Sequence, residues 1–259
     1  MLRHLDFEGI ENFRDFGGYD TASGRPMKHG LLYRSANHAY ASDADLQRMA
    51  ELGLAAIIDL RRTREREREP SKRWPGFAAA VVENDILSDH ADWADAMRDA
   101  QVDAGWFRRD SLAYYRRAPF EPRHFDLFGR YFRTLAQVDG PIVVHCAAGK
   151  DRTGLICALT HHVAGVSHED MVADYLLTND EARMARKIGF LGPWLRDTLG
   201  KTVSDDALRV AVSVSPDYLD TALAAINEVY GSIDGYLRLA LGMDDELRER
   251  VRARLVDGA

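Results

Sequence analysis

The chain has 259 residues, 46% of them hydrophobic, and carries a formal net charge of −7 at pH 7. That size and composition are sufficient for one full hydrophobic core, so we expect a single domain over residues 1–259. The negative charge argues against non-specific binding to nucleic acid, and no run of about 18 apolar residues occurs that would predict a transmembrane segment.

Strand and helix patterns alternate along the chain, as an α/β protein requires. Short apolar runs predict strands at 55–60, 78–82 and 141–144. Capping residues and amphipathic spacing predict helices at 42–53, 125–138, 216–230 and 244–255, a further helix after Ser167, and short helices around Gly105 within 91–117. No repeat or linker-like tract interrupts the alternation.

The segment 61–69 contains five arginines and three glutamates. Mixed charges at this density are typical of a solvent-exposed helix with ion pairs along its surface. A site for anionic lipid is the alternative interpretation of these arginines.

A separate pattern lies at 181–199, where apolar side chains recur at helical spacing: Met184, Ile188, Leu191, Leu195 and Leu199. Gly189, Gly192 and Pro193 fall in the middle of the segment and predict two short helices rather than one long one. The pattern alone leaves two roles open, ordinary core packing and a cover over a functional site.

The most informative stretch is His-Cys-Ala-Ala-Gly-Lys-Asp-Arg-Thr-Gly at 145–154. Apolar runs on both sides of it predict a buried strand, a tight loop and a helix. Cys146 then lies at the end of the strand, and Arg152 lies in the first turn of the helix. The backbone N–H groups of such a loop and the helix N-terminus form a binding site for an oxyanion. The sequence therefore predicts phosphate-ester hydrolysis through a phosphocysteine.

Each residue type in this loop has a chemical reason to be there. Cys146 attacks as the thiolate, which the loop amides, the helix dipole and Arg152 stabilise. The planar guanidinium of Arg152 matches two oxygens of the transferring phosphoryl group. Thr153 can donate to the thiolate, and Gly149 permits a bend in which a Cβ would collide. A buried structural cysteine before a helix is the alternative interpretation. The predicted phosphate-binding residues are Ala147, Ala148, Gly149, Lys150, Asp151, Arg152 and Thr153.

Further motifs accompany the loop in a fixed order along the chain. They are Asn12-Phe13-Arg14-Asp15-Phe16-Gly17-Gly18, Leu32-Tyr33-Arg34-Ser35, Ile57-Ile58-Asp59-Leu60-Arg61, Ala173-Asp174-Tyr175-Leu176-Leu177-Thr178-Asn179 and Tyr230-Gly231-Ser232-Ile233-Asp234-Gly235-Tyr236-Leu237. With the loop, they resemble the bacterial tyrosine-phosphatase family typified by mycobacterial protein tyrosine phosphatase B, within the cysteine-dependent phosphatase superfamily. The resemblance implies a central, mostly parallel sheet flanked by helices. It also implies that residues 181–200 form a mobile helical lid.

A departing alkyl or aryl oxygen needs a proton, which a carboxyl group within hydrogen-bond reach should supply. The resemblance implies that the aspartate inside the loop, Asp151, is this acid. The rival candidates lie just after a predicted strand and are Asp85, Asp89 and Asp92. Asp59 also follows a strand, but the nearby Arg61 predicts a structural ion pair.

The resemblance implies phosphotyrosine proteins as substrates, phosphoserine and phosphothreonine proteins to a lesser degree, and phosphoinositides as the alternative. Phosphotyrosine is our first expectation because an aryl leaving group depends least on a well-placed acid. Lys150 can bind a second phosphate, as on an inositol ring, or strengthen the field of the pocket. Inorganic phosphate is the expected product. A phosphate-binding module without turnover is the alternative of another class, and the intact Cys146, Arg152 and Thr153 disfavour it.

We expect neither a metal nor a cofactor, because Arg152 and the loop amides neutralise the bound phosphate. His161 and His162 point apart on a helix and do not predict a metal site. Cys157 is expected to be a small core residue. Because the chain has only two cysteines and no signal-peptide pattern, we expect a cytoplasmic location, or export without a cleaved signal peptide.

Overall fold

A computed structural model of the protein describes residues 3–87, 93–98 and 100–258. The strands are β1 (Arg14–Asp15), β2 (Leu32–Ser35), β3 (Ala56–Asp59), β4 (Ala80–Val82) and β5 (Ile142–His145). They form one five-stranded sheet in the order β1-β2-β5-β3-β4. β1 is antiparallel to β2, and the other neighbouring strands are parallel. The predicted α/β fold with a mostly parallel sheet flanked by helices is therefore confirmed.

The helices in the described ranges follow most of the sequence predictions. They are α1 (Asp43–Glu51), α2 (Thr63–Arg68), α3 (Trp93–Arg98), α4 (Ala104–Arg117), α5 (Pro122–Gln137), α6 (Asp151–Ala164), α7 (His168–Leu176), α8 (Glu181–Leu199), α9 (Asp205–Val212), α10 (Pro216–Tyr230), α11 (Ile233–Leu239) and α12 (Asp245–Leu255). None of them combines the length and the hydropathy that a membrane-spanning segment needs.

The sheet is packed on both faces, because successive side chains of a strand point to opposite sides. Ile58 of β3 and Val144 of β5 enter the larger core cluster, together with residues of α5, α6, α10 and α12. Ile57 and Val143 enter a smaller cluster, which α1 and the chain around Phe13 cover. The central strand β5 is therefore held in place from both sides.

The carboxyl ends of the parallel strands meet at one edge of the sheet. In the register of the sheet, His145 at the end of β5 lies opposite Ser35 of β2 and Asp59 of β3. The loop 146–150 starts at this edge and leads into α6. Ligands of α/β sheets bind outside the carboxyl ends of the strands, so this edge is where the site is expected.

Residues 181–199 form one continuous helix, α8, so the predicted break into two short helices is wrong. Asp180 caps the start of α8, and Gly200 ends it in a left-handed conformation. Pro193 lies inside the helix, where it removes one backbone hydrogen bond. Leu195 is fully buried in a cluster with residues of α3, α4 and α9. This burial outweighs the local preference for a break.

Two other helical predictions also need correction. Within 91–117, the prediction of short helices around Gly105 is confirmed for α3, but α4 is a longer helix that runs through Gly105 from an N-cap at Asp103. In the charged segment 61–69, α2 is a helix, but Arg61 is almost fully buried and Glu65 is in contact with Arg152. The interpretation as a solvent-exposed helix is wrong for these two side chains, because both find an ion-pair partner at the sheet edge.

Candidate active site

The loop 146–150 bends so that its carbonyl groups face outward. The Ala147 carbonyl accepts from the backbone N of Asn37 at 3.1 Å and from its Nδ2 at 3.3 Å. The Gly149 carbonyl accepts from Asn12 Nδ2 at 2.8 Å and from Arg34 Nη2 at 3.0 Å. Among the residues that the structure describes, the backbone N–H groups of 147–152 have no acceptor. Such a ring of free N–H groups at a helix N-terminus is a binding site for an oxyanion.

Gly149 is required by the path of this loop. Its φ angle is 64°, in the left-handed region that favours glycine. A Cβ at this position would lie 2.4 Å from the carbonyl oxygen of Ser35, at the end of β2. The predicted bend, in which a side chain would collide, is confirmed.

Beneath the loop lies a group of buried polar residues, which we call the underside network: Asn12, Arg14, Arg34 and Asp174. Arg34 Nη1 donates to Asp174 Oδ2 at 2.7 Å, and Arg14 Nε donates to Asp174 Oδ1 at 3.3 Å. Arg14 Nη1 donates to Asn12 Oδ1. Burial alone would raise the pKa of Asp174, but Arg14 and Arg34 outweigh this effect and lower the pKa to about 2. The carboxylate therefore stays charged. It fixes Arg34 directly and Asn12 through Arg14, and these two side chains hold the Gly149 carbonyl.

Cys146 lies at the start of the loop with only 2% of its surface exposed. Behind it, His145 Nδ1 is 3.4 Å from the Cys146 carbonyl oxygen, and His145 Nε2 is 3.5 Å from Asp59 Oδ2. Burial lowers the pKa of His145 to about 4, although Asp59 opposes the change, so the ring is neutral. Asp59 is itself held by Arg61 Nη2 at 2.6 Å, which confirms the predicted structural ion pair.

Arg152 is oriented by a bidentate ion pair. Its Nη1 donates to Glu65 Oε2 at 2.5 Å and to the Leu60 carbonyl at 3.2 Å, and its Nη2 donates to Glu65 Oε1 at 2.7 Å. Burial raises the pKa of Glu65, but Arg152 lowers it more, to about 2. A guanidinium has five N–H donors, so Nε–H and the second Nη2 hydrogen make no contact with a described residue. These two neighbouring donors can grip two oxygens of one phosphoryl group.

Asp151 is the first residue of α6, and its side chain is 31% exposed. The hydroxyl of Tyr115 donates to Asp151 Oδ1 at 3.0 Å. Of the rival acids, Asp85 accepts from Thr63 Oγ1 at 2.9 Å, pairs with Arg66 and has a 79% exposed side chain. Asp89 and Asp92 lie outside the described residues. Asp151 is thus the described candidate that directly follows the loop, whereas Asp85 is bound to α2.

The ammonium of Lys150 is bound by backbone carbonyls at the end of α9. Its Nζ donates to the backbone carbonyl of Ala211 at 2.8 Å and to that of Ser213 at 3.3 Å. These carbonyls lie at the C-terminal end of α9, where the helix leaves acceptors unpaired. The Asp151 carboxylate is 3.7 Å from the same ammonium. Lys150 therefore connects the phosphate loop to the end of α9.

Helix α6 contains the remaining candidates: Thr153, Cys157, His161 and His162. Thr153 is fully buried, and its hydroxyl has no hydrogen-bond partner among the described residues. Cys157 is buried inside α6, and burial raises the pKa of its thiol to about 12, so it stays protonated. His161 Nε2 is 2.8 Å from the Phe16 carbonyl, and His162 Nε2 is 2.8 Å from Asp234.

Sequence reasoning missed three of the residues that shape the site. Glu65 lies in a segment of mixed charge, and Tyr115 lies in 91–117, where the sequence pattern predicts only short helices. Asp174 lies in the motif 173–179, which resembles the family motif but indicates no chemical role for this residue. Its place in that motif is the one signal for Asp174 that the sequence offers.

Comparison with known proteins identifies a family and several relatives. A family model described as the tyrosine phosphatase family matches residues 5–257. A Cupriavidus necator protein whose name contains the words tyrosine-protein phosphatase is 36% identical over 247 residues, which cover 93% of this chain and 86% of that protein. The Mycobacterium tuberculosis triple specificity protein phosphatase PtpB is 30% identical over 97% of this chain and 98% of its own length. A tyrosine-protein phosphatase of Nostoc commune is 25% identical over 86% of this chain and 73% of its own length. The chain belongs to the tyrosine phosphatase family.

Proposed function

We propose that the protein hydrolyses phosphomonoesters in two steps through a phosphocysteine on Cys146. In the first step the thiolate attacks phosphorus, an S–P bond forms, the P–O bond of the ester breaks, and Asp151 gives its proton to the leaving oxygen. In the second step water attacks the phosphocysteine, Asp151 takes a proton from it, and the S–P bond breaks. The products are an alcohol or phenol and inorganic phosphate.

The observation that carries this proposal is the set of donors next to Cys146 that have no acceptor among the described residues. The N–H groups of 147–152 have no acceptor in the described residues, and Arg152 keeps two neighbouring donors free although Glu65 fixes its other edge. Burial lowers the pKa of Arg152, but Glu65, followed by the nearby Cys146, raises this pKa well above its ordinary value. Donors fixed in advance around a transferring phosphoryl group stabilise its charge in the transition state.

Phosphotyrosine is the substrate that we propose first. An aryl leaving group requires less help from a proton donor than an alkyl group does. A phosphoinositide would present further phosphates, and the ammonium that could bind one of them, on Lys150, is held by the carbonyls of Ala211 and Ser213. The thiol chemistry is best protected in a reducing compartment, so we propose cytoplasmic action.

The decisive experiment follows p-nitrophenol release from p-nitrophenyl phosphate without added metal. The wild-type protein should give a burst followed by steady turnover, and Cys146→Ser should abolish both. Cys157→Ala is the matched control, because Cys157 is the other buried cysteine and lies inside α6 rather than in the loop. Full turnover in Cys146→Ser would overturn the phosphocysteine route. Phosphate binding without turnover in the wild type would identify a binding module instead.

The substrate class is tested by a panel. Phosphotyrosine peptides, phosphoserine peptides and phosphoinositides in mixed micelles are compared by kcat/KM, since PtpB is named for triple specificity. We expect phosphotyrosine peptides to be hydrolysed fastest, by roughly tenfold or more over phosphoserine peptides. A higher value for phosphoinositides than for phosphotyrosine peptides would reverse this assignment.

A further inference from the structure

Two buried tyrosines form a hydrogen-bonded chain that ends on Asp151. The Tyr115 hydroxyl is 3.0 Å from Asp151 Oδ1 and 2.6 Å from the Tyr175 hydroxyl. Each of the two tyrosines has only 1% of its surface exposed. The ring of Tyr115 also stacks on Tyr218, with a centroid distance of 5.7 Å and an interplanar angle of 28°. The Tyr115 hydroxyl therefore has little freedom to leave its position.

The direction of the chain follows from what each group can donate. An ionised carboxylate only accepts, so the Tyr115 proton must point to Asp151. The Tyr115 oxygen then accepts from Tyr175, which places both protons in one line from Tyr175 to Tyr115 to Asp151. Burial, followed by the nearby Asp151 carboxylate, raises the pKa of both phenols well above the ordinary value, so both remain protonated donors. Hydrogen bonds arranged head to tail strengthen one another.

The two carboxyl oxygens of Asp151 are consequently different. Oδ1 accepts from Tyr115 and is also the oxygen that lies 3.7 Å from Lys150 Nζ. Oδ2 makes no hydrogen bond with a described residue. A proton carried by Asp151 would therefore be on Oδ2, and rotation of the carboxyl group would break the Tyr115 hydrogen bond.

We propose that Tyr115, supported by Tyr175, is a positioning residue that holds Asp151 with Oδ2 directed to the leaving-group oxygen. The inference rests on the proposed role of Asp151 as the acid. In the first step the proton leaves Oδ2 for the leaving oxygen, and in the second step Oδ2 takes a proton from water. Tyr115 keeps its own proton in both steps and donates to Oδ1 throughout, so no proton is gained or lost by the tyrosines.

The test removes one hydroxyl and varies the leaving group. For Tyr115→Phe, kcat should fall roughly 10- to 100-fold with phenyl and alkyl phosphates but less than about twofold with p-nitrophenyl phosphate, whose leaving group needs little protonation. Tyr175→Phe keeps the bond between Tyr115 and Asp151 and should show the same pattern with a smaller loss. Tyr131→Phe is the matched control, because Tyr131 is equally buried and its hydroxyl bonds to Thr160 Oγ1 at 3.0 Å instead.

A double-mutant comparison separates positioning from a general structural role. If Tyr115 acts through Asp151, then adding Tyr115→Phe to Asp151→Asn should produce no further loss with phenyl phosphate. Losses that multiply, or equal losses for every leaving group, would overturn the inference. If Asp151→Asn itself left the dependence on the leaving group unchanged, the acid assignment and this inference would both fail. The phosphocysteine route, which Cys146→Ser tests separately, would not be affected.

Discussion

The phosphate loop is held on two sides by very different interactions. In the underside network, the fully buried Arg14 and Arg34 both donate to the buried Asp174, and Arg34 also donates to the Gly149 carbonyl of the loop. On the other side, α9 touches the loop through one ammonium, that of Lys150, and two backbone carbonyls. The first arrangement cannot shift without exposing or isolating a buried charge, whereas the second can be broken at one residue.

The apolar packing of the two regions differs in the same way. Tyr175, next to Asp174, belongs to the large core cluster that includes the sheet. Leu195 of α8 and Leu208 of α9 belong to a separate, small cluster with Met97 and Phe107. The comparison shows that the underside network holds the loop in its shape, whereas α8 and α9 pack around a separate small core. Movement of residues 181–200 as a lid stays a prediction, and this separate core is the feature that would permit it.

The largest effect should come from the underside network. Asp174→Asn removes the only carboxylate that Arg14 and Arg34 share among the described residues and leaves two buried guanidinium groups without a counter-ion. We expect a loss of about 3–5 kcal/mol in the free energy of unfolding, measured by urea denaturation. Glu181→Gln is the control, since the ion pair of Glu181 with Arg209 is exposed, and it should change little. Equal losses in both variants would remove the distinction between the two regions.

Acid should weaken the underside network more than the connection between Lys150 and α9. The pKa of Asp174 is lowered from 3.8 to about 2, because the two arginines outweigh the effect of burial. A depressed carboxyl pKa contributes stability that is fully present above about pH 4 and is lost as the pH falls through about 2. The contribution is about 2 kcal/mol for this shift. The acceptors for Lys150 are backbone carbonyls, which do not titrate, so acid should leave these two hydrogen bonds in place.

The measurement is the urea midpoint of the wild type and of Asp174→Asn from pH 7 to pH 2. The two curves should converge as the pH falls below 4, because the wild type loses what the variant already lacks. A constant separation down to pH 2 would show that the charge of Asp174 does not supply the stability.

A smaller and more local effect should follow when the connection to α9 is cut. Lys150→Met keeps a long side chain but removes the donor for the Ala211 and Ser213 carbonyls. We expect a loss of about 1–2 kcal/mol that is confined to α8 and α9, seen as faster amide hydrogen exchange over residues 181–214. Lys28→Met is the control, because Lys28 Nζ donates to the Ala253 carbonyl at 3.1 Å, far along the chain from the loop. Faster exchange in the underside network instead would contradict the proposed division.

The sequence alone was sufficient to predict the strand, loop and helix around Cys146, because they form one continuous segment of the chain. A strand, a glycine-containing turn and a helix follow one another within 142–164, and the position of Gly149 already indicated a bend. The partners of this segment could not be found in the same way. Glu65 is 87 residues from Arg152, and Tyr115 is 36 residues from Asp151. Locally, they are indistinguishable from a surface glutamate and a core tyrosine.

The same limit explains the errors in the helical predictions. Gly189, Gly192 and Pro193 do favour a break when α8 is considered alone, but tertiary packing of Leu195 decides otherwise. Lys150 was predicted among the phosphate-binding residues, with an ammonium that binds a second phosphate or strengthens the field of the pocket. Its ammonium instead reaches carbonyls 61 and 63 residues away, which no local pattern encodes.

The smallest expected effect concerns α8 alone. Gly189 lies inside this helix, and a Cβ added there would meet no atom within 4 Å. Gly189→Ala should therefore stabilise α8 by about 0.5–1 kcal/mol and slow hydrogen exchange in residues 181–199, because alanine loses less backbone entropy on forming a helix. Gly192→Ala is the matched control in the same helix. Its Cβ would lie 3.2 Å from Leu208 Cδ1, so crowding should offset the gain.

The Gly189→Ala variant also tests whether movement of α8 affects turnover. If opening of α8 limits access to Cys146, Gly189→Ala should lower kcat/KM for a phosphotyrosine peptide by up to about fivefold, which corresponds to the same 0.5–1 kcal/mol. The underside network should keep its hydrogen-exchange protection, since Gly189 has no contact with it. Slower exchange in α8 with unchanged turnover would mean that this helix packs over the small cluster without controlling entry to the loop.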